Sequence, residues 1–179
     1  MIERHYLNDC VSQLRTLKAQ ADKAIAQIDE AQFFALLDAD ANSIAMIVKH
    51  VAGNMRSRWT DFLSSDGEKA DRKRDTEFED PPATRVALMG LWEEGWGYVF
   101  SALEPLSDAD IERTVLIRGE PHSVMQAINR QIAHYSYHCG QIVFLAKHLQ
   151  SAKWKALTVP RGKSEEFNQK VVAKEISQR

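Results

Sequence analysis

Gln131-Ile132-Ala133-His134-Tyr135-Ser136-Tyr137-His138-Cys139-Gly140-Gln141-Ile142 is the stretch that decides the fold. It lies within a longer segment whose apolar residues recur at helical spacing: Val124, Ile128, Tyr135, Ile142, Leu145 and Leu149. His134 and His138 are four residues apart, which on an α-helix places them on one face, roughly 6 Å from each other. The same geometry lets the two histidines of an HExxH helix bind one ion. A third histidine ligand would leave one coordination position of a tetrahedral site open for water or substrate. His50 is our candidate for this third ligand.

The size and composition are those of one ordinary soluble domain. The chain has 179 residues, of which 44% are hydrophobic, and its net charge of -2 gives no support to nucleic acid or an acidic membrane surface as a partner. No apolar run approaches the roughly 18 residues of a transmembrane helix, and the amphipathic N-terminus does not read as a signal peptide. The two cysteines, Cys10 and Cys139, are too few for a disulfide scaffold. We therefore expect a reducing cytoplasm.

Four long amphipathic helices are predicted from apolar spacing and capping signals. Their approximate ranges are Ile2–Asp29, Ser43–Leu63, Ala83–Leu103 and Ser123–Gln150. Between the third and fourth helices, Arg113–Arg118 reads as extended and is closed by Gly119-Glu120-Pro121, which indicates a small hairpin or edge ribbon. The expected fold is therefore all-α, a four-helix bundle with a small β element between helices 3 and 4.

Two segments outside these helices carry separate expectations. Ser64–Asp80 is a run of mixed charge with Phe78 as its only large apolar residue, which indicates a solvated loop or, alternatively, a functional rim over a pocket. Trp154–Ser164 has no helical period, and the polar residues after it favour a weak final helix or a flexible end. We predict a domain over residues 1–164 and a polar C-terminal tail over 165–179. Gly53, in the middle of a helix, suggests that something packs closely there.

The three histidines differ in how strongly they indicate a metal. A lone histidine at the edge of an apolar stripe, such as His50, is more typical of a hydrogen-bonded core residue. The His134 and His138 pair is a stronger signal, because two polar rings on a core face are costly unless something satisfies them. His122 and His148 lie roughly 18 Å and 15 Å along the helix from that pair and cannot reach the same ion.

Two amide side chains lie within one helical turn of the proposed ligands. Asn54 is four residues after His50, and Gln141 is three residues after His138. They could orient ligands or substrate, or they could form ordinary hydrogen bonds between helices. Both interpretations stay open at this point.

The remaining polar candidates are weaker. Arg58 and Arg161 could bind a substrate carboxylate through paired N–H groups, although a surface or dimer salt bridge is the more ordinary role. Glu93 and Glu94 are more typical of surface charges than of a general base. Cys139 follows His138 directly, so it points about 100° away from it on a helix and is expected to be a buried thiol, as is Cys10. We assign no catalytic residue.

Two of these segments together resemble a known family. The second helix reads Asn42-Ser43-Ile44-Ala45, then Lys49-His50, Asn54, Arg58-Trp59 and Phe62, and the fourth reads His134-Tyr135-Ser136-Tyr137-His138-Cys139-Gly140-Gln141. Over roughly residues 1–164 the chain resembles the DinB-like superfamily, also described as YfiT-like metal-dependent hydrolases. It is most similar to a bacterial subfamily of unknown function that ends in Pro-Arg-Gly-x-Ser, here Pro160–Ser164.

The resemblance implies an up-down-down-up bundle, often a homodimer, with one divalent metal held by His50, His134 and His138. Imidazole ligands suit zinc, nickel, iron or copper, and we expect zinc or nickel. Characterised relatives include transferases and isomerases that use low-molecular-weight thiols such as bacillithiol and mycothiol. The resemblance therefore implies a metal-dependent thiol S-transferase, or a hydrolase that activates water, acting on a small-molecule substrate. The alternative is a non-catalytic metal-binding stress or interaction protein.

Overall fold

The structure, a computed structural model, describes residues 2–79 and 81–176. Met1, Asp80 and residues 177–179, the end of the predicted tail, lie outside the described residues. The helices are α1 (Ile2–Ile25), α2 (Glu30–Phe34), α3 (Ile44–Trp59), α4 (Arg85–Leu103), α5 (Val124–Gln150) and α6 (Ser164–Val172). The strands are β1 (Thr114–Ile117) and β2 (Glu120–Ser123). The prediction of a helical fold with one small β element is confirmed.

The predicted helix starts at Ser43 and Ser123 are confirmed. The Ser43 hydroxyl accepts a hydrogen bond from the backbone N–H of Met46, and the Ser123 hydroxyl accepts one from Gln126. The Gln126 side chain also accepts from the Ser123 N–H and completes a capping box. These two caps set the start of α3 and of α5, the helices that carry the three histidines.

Other predicted helix boundaries are wrong by a few residues, because local polar contacts end or start the helices. α1 stops at Ile25 rather than near Asp29, whose carboxylate instead accepts from Gln32 N–H and caps α2. α3 ends at Trp59 rather than near Leu63, since the next residue is extended. α4 begins at Arg85 rather than Ala83 and is capped by the Thr84 hydroxyl.

The long helices pack on one another around a single apolar core. α3 lies against α4 and α5, and α1 lies against α5 and α4. Fully buried side chains from these helices fill the space between them: Leu14, Met55, Trp92, Trp96 and Tyr135. In the described part of the chain, no helix combines the length and the apolar character that crossing a membrane requires.

The β element is an antiparallel hairpin that is hydrogen-bonded to the loop after α3. Arg118 and Gly119 form its turn with φ values of 56° and 76°, the left-handed pair that favours tight hairpins. The Asp66 carboxylate accepts from the N–H groups of both turn residues at 2.8 and 2.6 Å. Gly67 N–H donates to the Leu116 carbonyl at 2.8 Å. The hairpin therefore holds the first part of the loop in place.

The prediction that Ser64–Asp80 is a solvated loop is wrong for its central residues. Asp75–Phe78 form a short 3₁₀ turn, and the side chains of Arg72 and Glu77 are only 5% and 9% exposed. They can be buried because they pair with each other, which offsets the loss of hydration. The prediction of close packing at Gly53 is confirmed, since a Cβ there would lie 2.5 Å from Glu77 Oε1.

The C-terminal segment is irregular before a short exposed helix. A 3₁₀ turn at Ser151–Lys153 follows α5, and the chain then has no regular structure until α6. No residue of α6 is buried. The expectation of a weak final helix is thus met over Ser164–Val172.

Candidate metal centre

Three histidines from two helices converge at one point. His50 comes from α3, and His134 and His138 come from successive turns of α5. His134 Nε2 lies 3.4 Å from His50 Nε2 and 3.2 Å from His138 Nε2. One ligand atom of each ring lies within 4.8 Å of those of the others. The structure therefore brings together the three residues that the sequence analysis predicts as metal ligands.

These separations fit a tetrahedral metal site. An ion bonded at about 2.0–2.1 Å to three nitrogens in tetrahedral geometry holds those nitrogens roughly 3.3 Å apart. The two measured Nε2 separations, 3.4 and 3.2 Å, lie on either side of that value. With all three ligand atoms within 4.8 Å of one another, the cluster could hold a metal ion.

Hydrogen bonds to the opposite ring nitrogens orient two of the ligands. His50 Nδ1 lies 2.8 Å from Glu77 Oε2, and His138 Nδ1 lies 2.8 Å from Gln141 Oε1. Carboxylate and amide oxygens are acceptors, so these contacts assign the proton to Nδ1 and leave the Nε2 lone pair free. Two lone pairs then face the same point, which is unfavourable without a cation or a donor between them. His134 Nδ1 is buried without a hydrogen-bond partner.

The surroundings keep the α5 histidines neutral. Burial, together with the neighbouring histidines and the Arg72 and Arg58 guanidinium groups, lowers the pKa of His134 to about 3. Burial and His50 lower the pKa of His138 to about 4. A metal therefore need not displace a proton from either ring at neutral pH.

Glu77 is the functional candidate that sequence reasoning missed. Arg72 donates from Nε to Glu77 Oε1 at 2.8 Å and from Nη2 to Oε2 at 2.9 Å, so the carboxylate bridges Arg72 and His50. Burial opposes ionisation, but the bonds from His50 and Arg72 outweigh it and hold the pKa of Glu77 below its usual value. Phe78 stacks on the His50 ring at 4.5 Å between centroids. The signals in the sequence were the isolated Phe78 and the helical Gly53.

Asn54 and Gln141 have different roles in the structure. Gln141 bonds the ligand His138 directly. Asn54 Oδ1 accepts a hydrogen bond from the Tyr135 hydroxyl at 3.1 Å, and that hydroxyl accepts one from Trp59 Nε1 at 2.9 Å. Asn54 therefore joins α3 to α5, and it also lies in the wall of the cavity beside the histidines.

A cavity of about 490 Å³ opens beside the three histidines. Arg58 lies in its wall, where it is buried, donates to the Gly67 carbonyl and pairs with Glu68 at 2.9 Å. Arg161 is exposed in the turn before α6 and is not among the residues that line the cavity. Glu93 pairs with Lys18, and Glu94 accepts from Tyr98, both on the surface.

The other histidines and the cysteines lie outside the cluster. His122 is on β2 and not in line with the helix along which its distance from His134 is predicted, and His148 is exposed in the last turn of α5. Cys10 and Cys139 are buried free thiols, as expected. Burial raises the pKa of Cys139 to about 12, so it is not a nucleophile at neutral pH.

The sequence places the chain in a family. Residues 1–163 match the family described as "Protein of unknown function (DUF1572)", and the chain belongs to this family. Comparisons with curated proteins and with solved structures found no match. The family description assigns no reaction, so a function has to be argued from the site.

Proposed function

We propose that this DUF1572 chain is a metal-binding protein of the DinB-like superfamily and a metal-dependent enzyme. In this proposal α1, α3, α4 and α5 form an up-down-down-up four-helix bundle within a domain over residues 1–164, followed by a tail over 165–179. The pairwise packing of these four helices supports the arrangement. The family match, which ends at residue 163, supports the domain boundary.

The convergence of the three histidines carries the proposal: their ligand atoms lie within 4.8 Å of one another, and two Nε2 separations have tetrahedral spacing. His50, His134 and His138 would hold one divalent ion, with zinc or nickel as the preferred metals. The hydrogen bonds that His50 and His138 donate to Glu77 and Gln141 favour the ligating tautomer of each ring. A fourth position would face the cavity that these histidines line.

The proposed reaction is the transfer of a low-molecular-weight thiol to an electrophilic substrate. A bound divalent ion would supply Lewis acidity, which lowers the pKa of a thiol or a water molecule at the open position. The chain would contribute the orientation of the three imidazoles and a partly enclosed cavity. The thiol sulfur then forms a bond to the electrophilic carbon, the leaving group departs with its electron pair, and the thiol proton passes to solvent.

The lining of the cavity favours a thiol over water as the nucleophile. The described residues that line it include no aspartate or glutamate, and Glu77, the carboxylate beside His50, is already bonded to two partners. A bound ion lowers the pKa of water from about 15.7 to about 7, whereas it deprotonates a thiol, whose free pKa is about 8.5, outright, so the thiol depends less on a base. Hydrolysis is therefore the second candidate, and a metal-binding stress or interaction protein without turnover is the alternative from another class.

The proposal also includes a cytoplasmic homodimer. Tyr137 and Phe144, seven residues apart on the outer side of α5, are 64% and 66% exposed, which supports a face that another chain could cover. Sedimentation of the purified protein tests this part separately. A monomer at all concentrations would remove the dimer and leave the metal site unaffected.

The first experiment measures the metal content of the purified native protein by elemental mass spectrometry. We expect about one ion per chain, lost when His50, His134 and His138 are all replaced by alanine while the helical circular dichroism is kept. His148→Ala, an exposed histidine of the same helix, is the matched control and should retain the ion. Metal-free wild-type protein that stays metal-free after reconstitution would contradict the proposal.

The second experiment tests turnover with monochlorobimane and a panel of thiols. Conjugation forms a carbon–sulfur bond and releases chloride. We expect metal-dependent conjugation that His134→Ala abolishes and His148→Ala does not. A metal-loaded protein that conjugates none of the thiols would favour the non-catalytic alternative.

A further inference from the structure

The cavity beside the three histidines has an unusual concentration of positive charge. Five arginines line it: Arg58, Arg72, Arg74, Arg118 and Arg130. They come from α3, from the loop after it, from the hairpin turn and from α5, so only the folded chain brings them together. The whole chain has a net charge of -2, and this local excess is therefore not a reflection of its composition.

The acidic side chains that face these arginines do not neutralise them. Glu68 is shared by three of the arginines, Arg58, Arg72 and Arg118. Glu77 pairs with Arg72, and Asp75 lies 3.7 Å from Arg74. The Asp66 carboxylate also acts on Arg58, so five guanidinium groups against four carboxylates leave an excess of one positive charge, before any metal ion adds its own.

Arg130 is the least explained of the five as a structural residue. It is exposed, and the described part of the chain offers it no ion pair or hydrogen bond. It precedes His134 by four residues on α5, so the two side chains lie on one face of the helix, roughly 6 Å apart at Cβ. Its charge therefore stands next to the metal cluster without a stabilising partner.

The buried wall of the cavity also has unused hydrogen-bonding groups. Arg58 Nε and Gln131 Oε1 are both buried without a partner, and both residues line the cavity. Polar atoms left in this way cost stability, and proteins commonly retain such a cost where a ligand or water uses the site. The wall is thus polar and cationic rather than a leftover gap in apolar packing.

We propose that this cavity binds a small organic anion with at least two negatively charged groups, carboxylate or phosphate. One group would face the cluster of buried arginines, and another would meet Arg130 and Arg74 at the rim. Guanidinium groups match both kinds of anion through paired N–H bonds, and a volume of about 490 Å³ suits a small molecule. The anion site rests on the proposed function and deepens it, since it predicts that either the thiol or its electrophilic substrate is an anion.

The test compares charged and neutral probes on zinc-loaded protein by isothermal titration calorimetry. Succinate carries two carboxylates, and succinamide has the same skeleton without charge. 1,3-Propanediol bisphosphate, with two phosphate groups on a three-carbon skeleton, tests phosphate in place of carboxylate. We expect at least one of the two anions to bind and succinamide not to bind, with affinity falling as sodium chloride rises from low to physiological concentration.

The variant Arg130→Gln tests whether the charge of Arg130 contributes to the affinity for the anion. We expect it to weaken the anion about three- to tenfold, as for the loss of one partly exposed charge pair, with unchanged zinc content and thermal stability. Lys147→Gln removes the same charge from an exposed residue of the same helix and should leave the affinity unchanged. Stronger binding of succinate assigns a carboxylate ligand, and stronger binding of the bisphosphate assigns a phosphate ligand.

The inference is overturned if neither anion binds, if succinamide binds equally well, or if Arg130→Gln and Lys147→Gln weaken binding equally. These results are separate from the test of the proposed function. Zinc-loaded protein that conjugates thiols but binds neither anion would refute the anion site alone. Anion binding by a protein that takes up no metal would refute the proposed enzyme alone.

Discussion

Replacing Glu77 with glutamine should weaken metal binding while leaving all three ligands in place. Glu77 Oε2 lies 2.8 Å from His50 Nδ1, in the position of the carboxylate that orients many metal-binding histidines. Loss of such a partner typically costs about 10- to 100-fold in metal affinity, which corresponds to about 1.4–2.8 kcal/mol. Glutamine keeps an oxygen acceptor but loses the charge, and a charge-assisted bond is roughly twice as strong as a neutral one. We therefore expect a loss of about tenfold, at the lower end of that range.

The assay is a zinc competition titration against a chromophoric chelator at fixed pH. Glu79→Gln is the matched control, because Glu79 belongs to the same loop and its side chain is exposed. The Glu77 variant should also unfold at a lower urea concentration, because Arg72 loses a charged partner inside the protein. We expect the free energy of unfolding to fall by about 1–3 kcal/mol. Zinc affinity within twofold of wild type in the Glu77 variant would refute the reasoning. An equal loss in both variants would refute it as well.

Three further predictions follow from close packing, a buried hydrogen bond and thiol burial. Gly53→Ala places a Cβ 2.5 Å from Glu77 Oε1, so it should weaken zinc binding in the same titration, although alanine has the higher helix propensity. Unchanged zinc affinity would contradict this close contact. Tyr135→Phe removes the hydroxyl that bridges two α3 side chains and should lower the urea-derived free energy of unfolding by about 1–3 kcal/mol; an unchanged midpoint would mean that the bond contributes nothing. Cys10 and Cys139 are buried, so an Ellman titration should show no fast-reacting thiol in native protein and two in denaturant, and a fast native thiol would show that one of them is accessible.

The helices and the metal ligands could largely be predicted from sequence because both depend on local spacing. Apolar residues at intervals of three and four define the buried face of α5, and the same periodicity places His134 and His138 on one side of it. The Ser43 and Ser123 caps are equally local, since each acts on an N–H three residues away. His50 was a weaker prediction, because its distance from α5 depends on how two helices pack.

Apart from Gln141, which lies one helical turn from His138, the surroundings of those ligands were decided only by the tertiary structure. Glu77 lies 27 residues from His50 in the chain, and in sequence its loop is a run of mixed charge that reads as solvated. Its burial depends on Arg72 and on the space beside Gly53. The sequence indicates that something packs against Gly53, but not that Glu77 is the residue that does so. The same holds for the arginines of the cavity, which come from four separate parts of the chain. Helical periodicity is a property of neighbouring residues, whereas the pairing of buried charges depends on which distant segments meet, and that is decided only when the chain folds.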